Sequence, residues 1–161
     1  MSSVAEEVRS ADPAERVRAI LERIVGELHI DAKVEVSEDE KEIVGRVDGD
    51  DVGLLIGRRG QTIDAVQLLC YRAAFRGRQD RKRVTVDAAG YRQRRRDALA
   101  RQADRAAERA LKSGNEIELE PMTPTERRIV HQHLKERSGI ETFSEGEEPE
   151  RCVVVAPLVR D

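Results

Sequence analysis

The chain has 161 residues, enough for one sizeable domain or two small ones, and 39% of them are hydrophobic against 38% charged. Only 2% are aromatic (Tyr71, Phe75, Tyr91 and Phe143), so a core has to be built from Val, Ile, Leu and Ala, and a site made of several stacked rings is excluded. The net charge of −3 conceals a division: residues 51–112 carry 16 Lys/Arg and 7 Asp/Glu, while the rest carry 13 and 25, so a basic middle lies between acidic ends.

Residues 1–12 are polar and aperiodic and are expected to form a flexible tail. A helix follows in "DPAERVRAILERIVGELHI", with Asp12 as cap, Pro13 at its first position and Glu15 placed for a capping box. Val17, Ile20, Leu21, Ile24, Val25 and Leu28 give it one apolar stripe. Residues 32–38 and 41–48 alternate apolar with polar around "SEDEK", the pattern of an antiparallel hairpin. "GDDVGLLIG" opens a short helix. A second helix starts at Gln61, with Ile63, Val66, Leu69, Cys70 and Ala74 facing inward, and "RKRVTVD" is a strand. A long helix over 89–113 comes next, roughly 36 Å at about 1.5 Å per residue. Asp87 is placed to cap it and Gly114 to end it. Its apolar stripe is thin: Tyr91, Ala98, Leu99, Ala103, Ala106, Ala110 and Leu111. Arg94, Arg101, Arg105, Arg109 and Lys112 line another face. Asp97 and Glu108 precede Arg101 and Lys112 by four residues, the spacing of helical ion pairs. "EIELEPM" is a short strand. "TPTERRIVHQHLKERSG" is a helix with Thr123, Pro124 and Glu126 as its capping box and Gly139 at its end. Two strands, near 140–144 and 151–156, flank an acidic loop.

Cys70 and Cys152 lie far apart in apolar surroundings, as expected of buried free thiols in a reducing compartment. No apolar run reaches transmembrane length and "MSSVAEEVRSAD" lacks the regions of a signal peptide, so a cytoplasmic protein is expected. The basic middle suits a polyanion-binding face, or else a set of solvated helices.

The sharpest motif is Gly57-Arg58-Arg59-Gly60. Two glycines permit positive φ and a close approach to the main chain. The turn leads into a helix N-terminus, which favours anions. Two guanidinium forks match phosphate oxygens. The reading is a nucleic-acid backbone clamp, with a plain helix connector as the bland alternative.

The stretch "VGLLIGRRGQTIDAVQLL" resembles the G-x-x-G region of KH domains, and the surrounding order helix–strand–strand–helix–helix–strand resembles the type II arrangement over residues 13–88. The resemblance implies a three-stranded sheet with helices on one face. It also implies a loop of Gly57, Arg58, Arg59 and Gly60 that clamps about four nucleotides of single-stranded backbone. Gln61 and Thr62, at the helix start, would contact phosphate or serve as caps. Ile56 and Ile63 would be core or groove wall.

Residues 89–161 suggest a second module. Arg127 and His131, four apart, share a helix face that Lys135 extends. "ERRIVHQHL" followed by "TFSEGEEPERCVVV" resembles the Arg-three-His (R-3-H) domain that closes proteins of the Jag family, also called KhpB. There the Arg and His lie on an exposed face associated with single-stranded nucleic acid, so Arg127, Arg128, His131 and Lys135 are its candidate residues here. The expected fold class is therefore α+β, a type II KH domain over 13–88 and an R-3-H domain over 89–161 with a long first helix. Many family members carry an additional N-terminal Jag domain and linker. This chain starts almost directly at the KH helix and is read as a short form, without functions tied to that domain such as membrane-insertase association.

No catalytic constellation and no cofactor motif is visible. His131 and His133 point about 200° apart on a helix and do not share a metal. The acids of "SEGEEPE" suit a solvated turn, with helix capping or arginine pairing open to Glu145. The leading expectation is a non-catalytic single-stranded RNA-binding protein (ssDNA being a further possible ligand). The resemblance adds post-transcriptional regulation or RNA chaperoning, a small KH partner protein as heterodimer, and links to bacterial cell elongation, division and cell-wall control. The alternatives are a metal-dependent nuclease or nucleotide hydrolase, and a scaffold that no longer binds RNA.

Overall fold

The structure is a computed structural model that describes residues 12–158. It is an α+β protein whose chain divides into two compact units between Arg92 and Gln93. The expected tail over 1–12 lies outside the described residues except for Asp12.

In the first unit, α1 spans Pro13–Glu27, β1 Ala32–Glu38, β2 Glu42–Gly49 and α2 Gly53–Ile56. A single 3₁₀ turn over Arg58–Gly60 leads into α3, Gln61–Ala74, and β3 spans Arg83–Ala88. Strand β2 is central. It pairs antiparallel with β1, Ala32 opposite Gly49, and parallel with β3, Glu42 opposite Arg83. Asp39 sets the hairpin by accepting the backbone N–H groups of Lys41 and Glu42 at 2.7 and 2.8 Å. The helices share one face of the sheet. Val17 and Leu21 of α1, Ile63 and Cys70 of α3, Ile43 and Val47 of β2 and Val86 of β3 are fully buried together. Pro13 starts α1 as expected, but the Asp12 side chain makes no capping bond. Leu69 was expected inside and is 52% exposed. The buried residues Ile63, Val66, Cys70 and Ala74 define a face about 100° away from it on a 3.6-residue helix.

In the second unit, α4 runs over Tyr91–Ser113, its first two residues packing with the first unit. β4 spans Ile117–Glu118, α5 Pro124–Leu134, β5 Ile140–Glu145 and β6 Cys152–Pro157. β6 is the middle strand, antiparallel to both β4 and β5. The core joins Leu99, Ala103, Ala107 and Ala110 of α4 to Val130 and Leu134 of α5 and to Val153 and Val155 of β6. The small side chains of α4 make its thin stripe sufficient, because alanines let neighbouring backbones approach.

Three details of this unit differ from expectation. Ala107 is buried and Leu111 is 47% exposed. Helix α5 stops at Leu134, and Gly139, at φ 78°, instead opens β5. Asp97 accepts a hydrogen bond from Gln93 rather than pairing with Arg101, and Glu108 faces Arg137 at 3.9 Å rather than Lys112. Cys70 and Cys152 are free and buried, as expected. Among the described residues no helix is long and apolar enough to cross a membrane.

Candidate nucleic-acid interface

The first candidate site lies at the α2–α3 junction. Gly57 adopts φ 70°, ψ −178°, a conformation essentially confined to glycine. A Cβ there would stand 2.0 Å from Thr62 Oγ1 and 2.7 Å from Thr62 Cβ. Gly60 adopts φ 79°, and a Cβ on it would stand 2.7 Å from Cε1 of Tyr91. Both glycines are therefore fixed by packing as well as by backbone conformation. Arg59, between them, sits in the left-handed region at φ 52°, ψ 28°. Such a conformation costs a non-glycine residue about 1–2 kcal/mol and suits a site that holds its backbone in one shape.

The loop presents Arg58 exposed and Arg59 half-buried, with Gln61 and Thr62 exposed at the start of α3. Neither of the last two caps the helix, which begins on Gly60 without a side-chain cap. The Thr62 hydroxyl instead packs against Gly57. The 3₁₀ turn supplies carbonyl acceptors for the N–H groups of Gly60, at Gly57, and Gln61, at Arg58, and the positive end of the α3 dipole lies beside the two arginines. Asp64, the acid of this first turn, is taken up by Arg92 at 2.8 Å and so does not face the loop cations alone.

Arg92 is a support that the sequence did not reveal. Its guanidinium donates to Asp64 and Gln67 of α3 and to the Val86 carbonyl of β3, and its backbone N–H donates to Asp87. Gln67 in turn accepts the Val86 N–H at 3.0 Å. This network fixes α3, and hence the turn at its N-terminus, to the edge of the sheet. Ile63 is core, and Ile56 is half-buried against it.

The second candidate site is built on α5. The capping box is present: Thr123 Oγ1 accepts the Glu126 N–H at 3.3 Å, and Glu126 Oε2 accepts the Thr123 N–H at 3.0 Å. Glu126 is buried and its other oxygen accepts from Arg95 Nε at 2.6 Å, joining α4 to α5.

The four residues singled out here, three on α5 and Lys135 just past its end, separate into different roles. Arg127 is only 9% exposed, donating to the Met122 carbonyl at 2.8 Å and to Glu148 at 2.5 Å. That corrects the expectation of an exposed arginine: the acidic loop folds back over it, and Glu148 rather than Glu145 is the carboxylate that pairs with an arginine. His131 is half-buried, with Nδ1 at 2.7 Å from Thr142 Oγ1 and Nε2 at 2.9 Å from Ser144 Oγ. Burial, and then the charge of Arg127, push its pKa below the usual histidine value. Arg128 and Lys135 are exposed. His131 and Lys135 line an open cleft of about 430 Å³ with Leu134, Ile140, Glu141 and Thr142, and Arg127 and Arg128 do not line it. His133 turns to Asp104 at 3.0 Å, so the two histidines of α5 have separate partners.

Two family models match the chain: the KH domain of KhpA/KhpB over residues 14–87, and the R-3-H domain over residues 97–157. Curated relatives include the RNA-binding protein KhpB of Clostridium symbiosum, 40% identical over 127 residues, which are 79% of this chain and 57% of that one. The RNA-binding protein KhpB of Bacillus subtilis strain 168 is 35% identical over 151 residues, 92% of this chain and 73% of that one. The protein of the same name from Lactiplantibacillus plantarum is 34% identical over 151 residues, 92% of this chain and 47% of that one. The chain thus spans between about half and three quarters of these relatives' lengths.

Proposed function

The chain belongs to the KhpB family, and we propose that it is a non-catalytic protein that binds single-stranded RNA. The observation that carries this is the Gly57–Gly60 turn: two glycines pinned open by Thr62 and Tyr91, two arginines, and an uncapped helix start, all within one short turn. Arg58, Arg59 and the backbone at Gly57, Gly60, Gln61 and Thr62 hold the sugar–phosphate chain, so this site grips backbone and reads little sequence. The cleft beside His131 and Lys135 is a second face for the same strand or another, with Arg128 on the same helix as an accessory cation and Arg127 as the residue that holds the acidic loop.

The names borne by the relatives support RNA over other polyanions, and the matched spans 14–87 and 97–157 support a division between the two modules within 88–96. With only four aromatic residues, stacking contributes little, so affinity per module is modest and salt-sensitive. A role as post-transcriptional regulator or RNA chaperone in the cytoplasm, with a small KH protein as heterodimeric partner and an effect on cell elongation and wall synthesis, fits this activity.

The test is fluorescence anisotropy with a labelled single-stranded RNA. Arg58→Gln/Arg59→Gln is expected to weaken binding by at least 10-fold with the fold intact. Equal affinity in the variant overturns the reading of the loop. Recovery of shortened RNA in the presence of divalent metal overturns the non-catalytic reading.

A further inference from the structure

Helix α4 carries a second basic feature, remote in sequence from the loop and separate from the His131 cleft. Its buried residues, Leu99, Ala103, Ala106, Ala107 and Ala110, define one face. Arg101, Arg105, Arg109 and Lys112 are all exposed, and at 100° per residue they project from the opposite side. None of these four side chains makes a hydrogen bond or ion pair among the described residues. Arg94 lies two turns earlier on the same row and is also exposed.

The acids of this helix have their nearest partners outside the row. Asp104 is shared by His133 and Arg137, at 3.0 and 3.1 Å. Glu108 faces Arg137 at 3.9 Å, and Asp97 takes the amide of Gln93 at 2.8 Å. All three lie on one flank of α4, and Arg101, Arg105, Arg109 and Lys112 form no ion pair with them. Its members stand about 4.5–6 Å apart along the axis over roughly 16 Å from Arg101 to Lys112. That spacing is comparable with the separation of successive phosphates along a strand.

We infer that the Arg101–Lys112 row of α4 is a further RNA contact, a phosphate-tracking ladder distinct from both the Gly57–Gly60 turn and the His131 cleft. The inference rests on the RNA-binding reading above. A protein partner is the weaker fit. Arginine also anchors protein interfaces, but in desolvated pockets together with aromatic residues, and this exposed row contains no aromatic residue, whereas guanidinium forks suit phosphate oxygens. The ladder is sequence-independent and acts through charge, so it contributes mainly to the salt dependence of binding.

The full-length chain is titrated with labelled single-stranded RNA at several salt concentrations, as wild type, as Arg101→Gln/Arg105→Gln/Arg109→Gln, as the corresponding Arg→Lys triple, and as Arg58→Gln/Arg59→Gln. Each phosphate contact contributes about 0.7 to the log–log slope on single strands, so the Gln triple is expected to lower the slope by about 2 and the Lys triple to keep it. Arg105→Gln alone, the mildest change, is expected to lower it by about 0.7. A Gln triple with wild-type affinity and slope, alongside a loop variant that has lost both, overturns the ladder and leaves the proposed function standing. A wild-type protein that binds no RNA overturns both.

Discussion

Gly57→Ala is expected to damage the loop from within, without adding any charge. The native φ of 70° with ψ of −178° is open to glycine and closed to alanine, at about 1–3 kcal/mol. The added Cβ would also lie 2.0 Å from Thr62 Oγ1, 2.7 Å from Thr62 Cβ and 3.0 Å from Thr62 N. A rotation of the Thr62 side chain moves Oγ1 away but leaves Cβ and the backbone nitrogen, so the start of α3 itself has to shift. The sum is about 2–4 kcal/mol of local destabilisation, at the upper end for a single substitution. Hydrogen exchange read peptide by peptide separates the two units. Protection should fall across 53–66 and stay unchanged over α5. Gly57→Ala/Thr62→Ala should recover only the part due to the hydroxyl. Wild-type protection across 53–66 in Gly57→Ala, with RNA binding lost, would refute the packing argument and leave this glycine to ligand approach alone. The same geometry changes the meaning of any Gly57→Asp/Gly60→Asp variant: lost binding there reports a distorted turn as much as added negative charge.

Arg127→Ala should cost about 2 kcal/mol, because the Met122 carbonyl and Glu148 lose a nearly buried charged donor, whereas Arg128→Ala should stay within about 0.5 kcal/mol of wild type. Thermal unfolding of the two variants checks this, and equal effects would contradict the division of roles on α5. His131 is held towards its neutral form by burial and by Arg127, so its folded pKa lies below that of the unfolded chain. The unfolded state then takes up the proton first as pH falls, and stability should decline on acidification below 6.5, the ordinary histidine value. His131→Gln should flatten that decline, and an NMR titration midpoint at or above 6.5 would contradict the assignment. Burial raises the Cys70 thiol to about 11, and burial followed by Glu118 raises that of Cys152. Both thiols should resist a disulfide reagent at pH 8 in the native protein and react in denaturant, and a fast native thiol would show the burial to be wrong.

Much of this fold was written in local patterns. Apolar periodicities of 3.6 and 2 placed the helices and the hairpin, and Thr123 and Glu126 announced their capping box by spacing alone. The Gly57–Gly60 turn was likewise legible as an anion site, because glycine freedom, charge and a helix start occur within four residues. What stayed hidden depends on partners distant in sequence. Arg127 and His131, four apart, share a helix face, but only the return of the acidic loop buries Arg127, and only the register of β5 sets Thr142 and Ser144 on either side of His131. Arg92 passed as one more arginine in a basic run until β3 and α3 converged on it. Tyr91 looked like core and is also the wall that keeps residue 60 a glycine. The cation row of α4 was visible as a row, but its lack of ion pairs was not: Asp97 and Glu108 had the spacing of ion pairs, yet Asp97 bonds Gln93 on its own helix and Glu108 faces Arg137.

The most direct test of the central claim is an amide chemical-shift titration of the labelled protein with a short single-stranded RNA of mixed sequence. If the turn clamps the backbone, the largest and earliest perturbations fall on residues 57–62 and change little when the RNA sequence is permuted. Residues 57–62 left unperturbed at saturation, with shifts confined to residues 93–158, would contradict it.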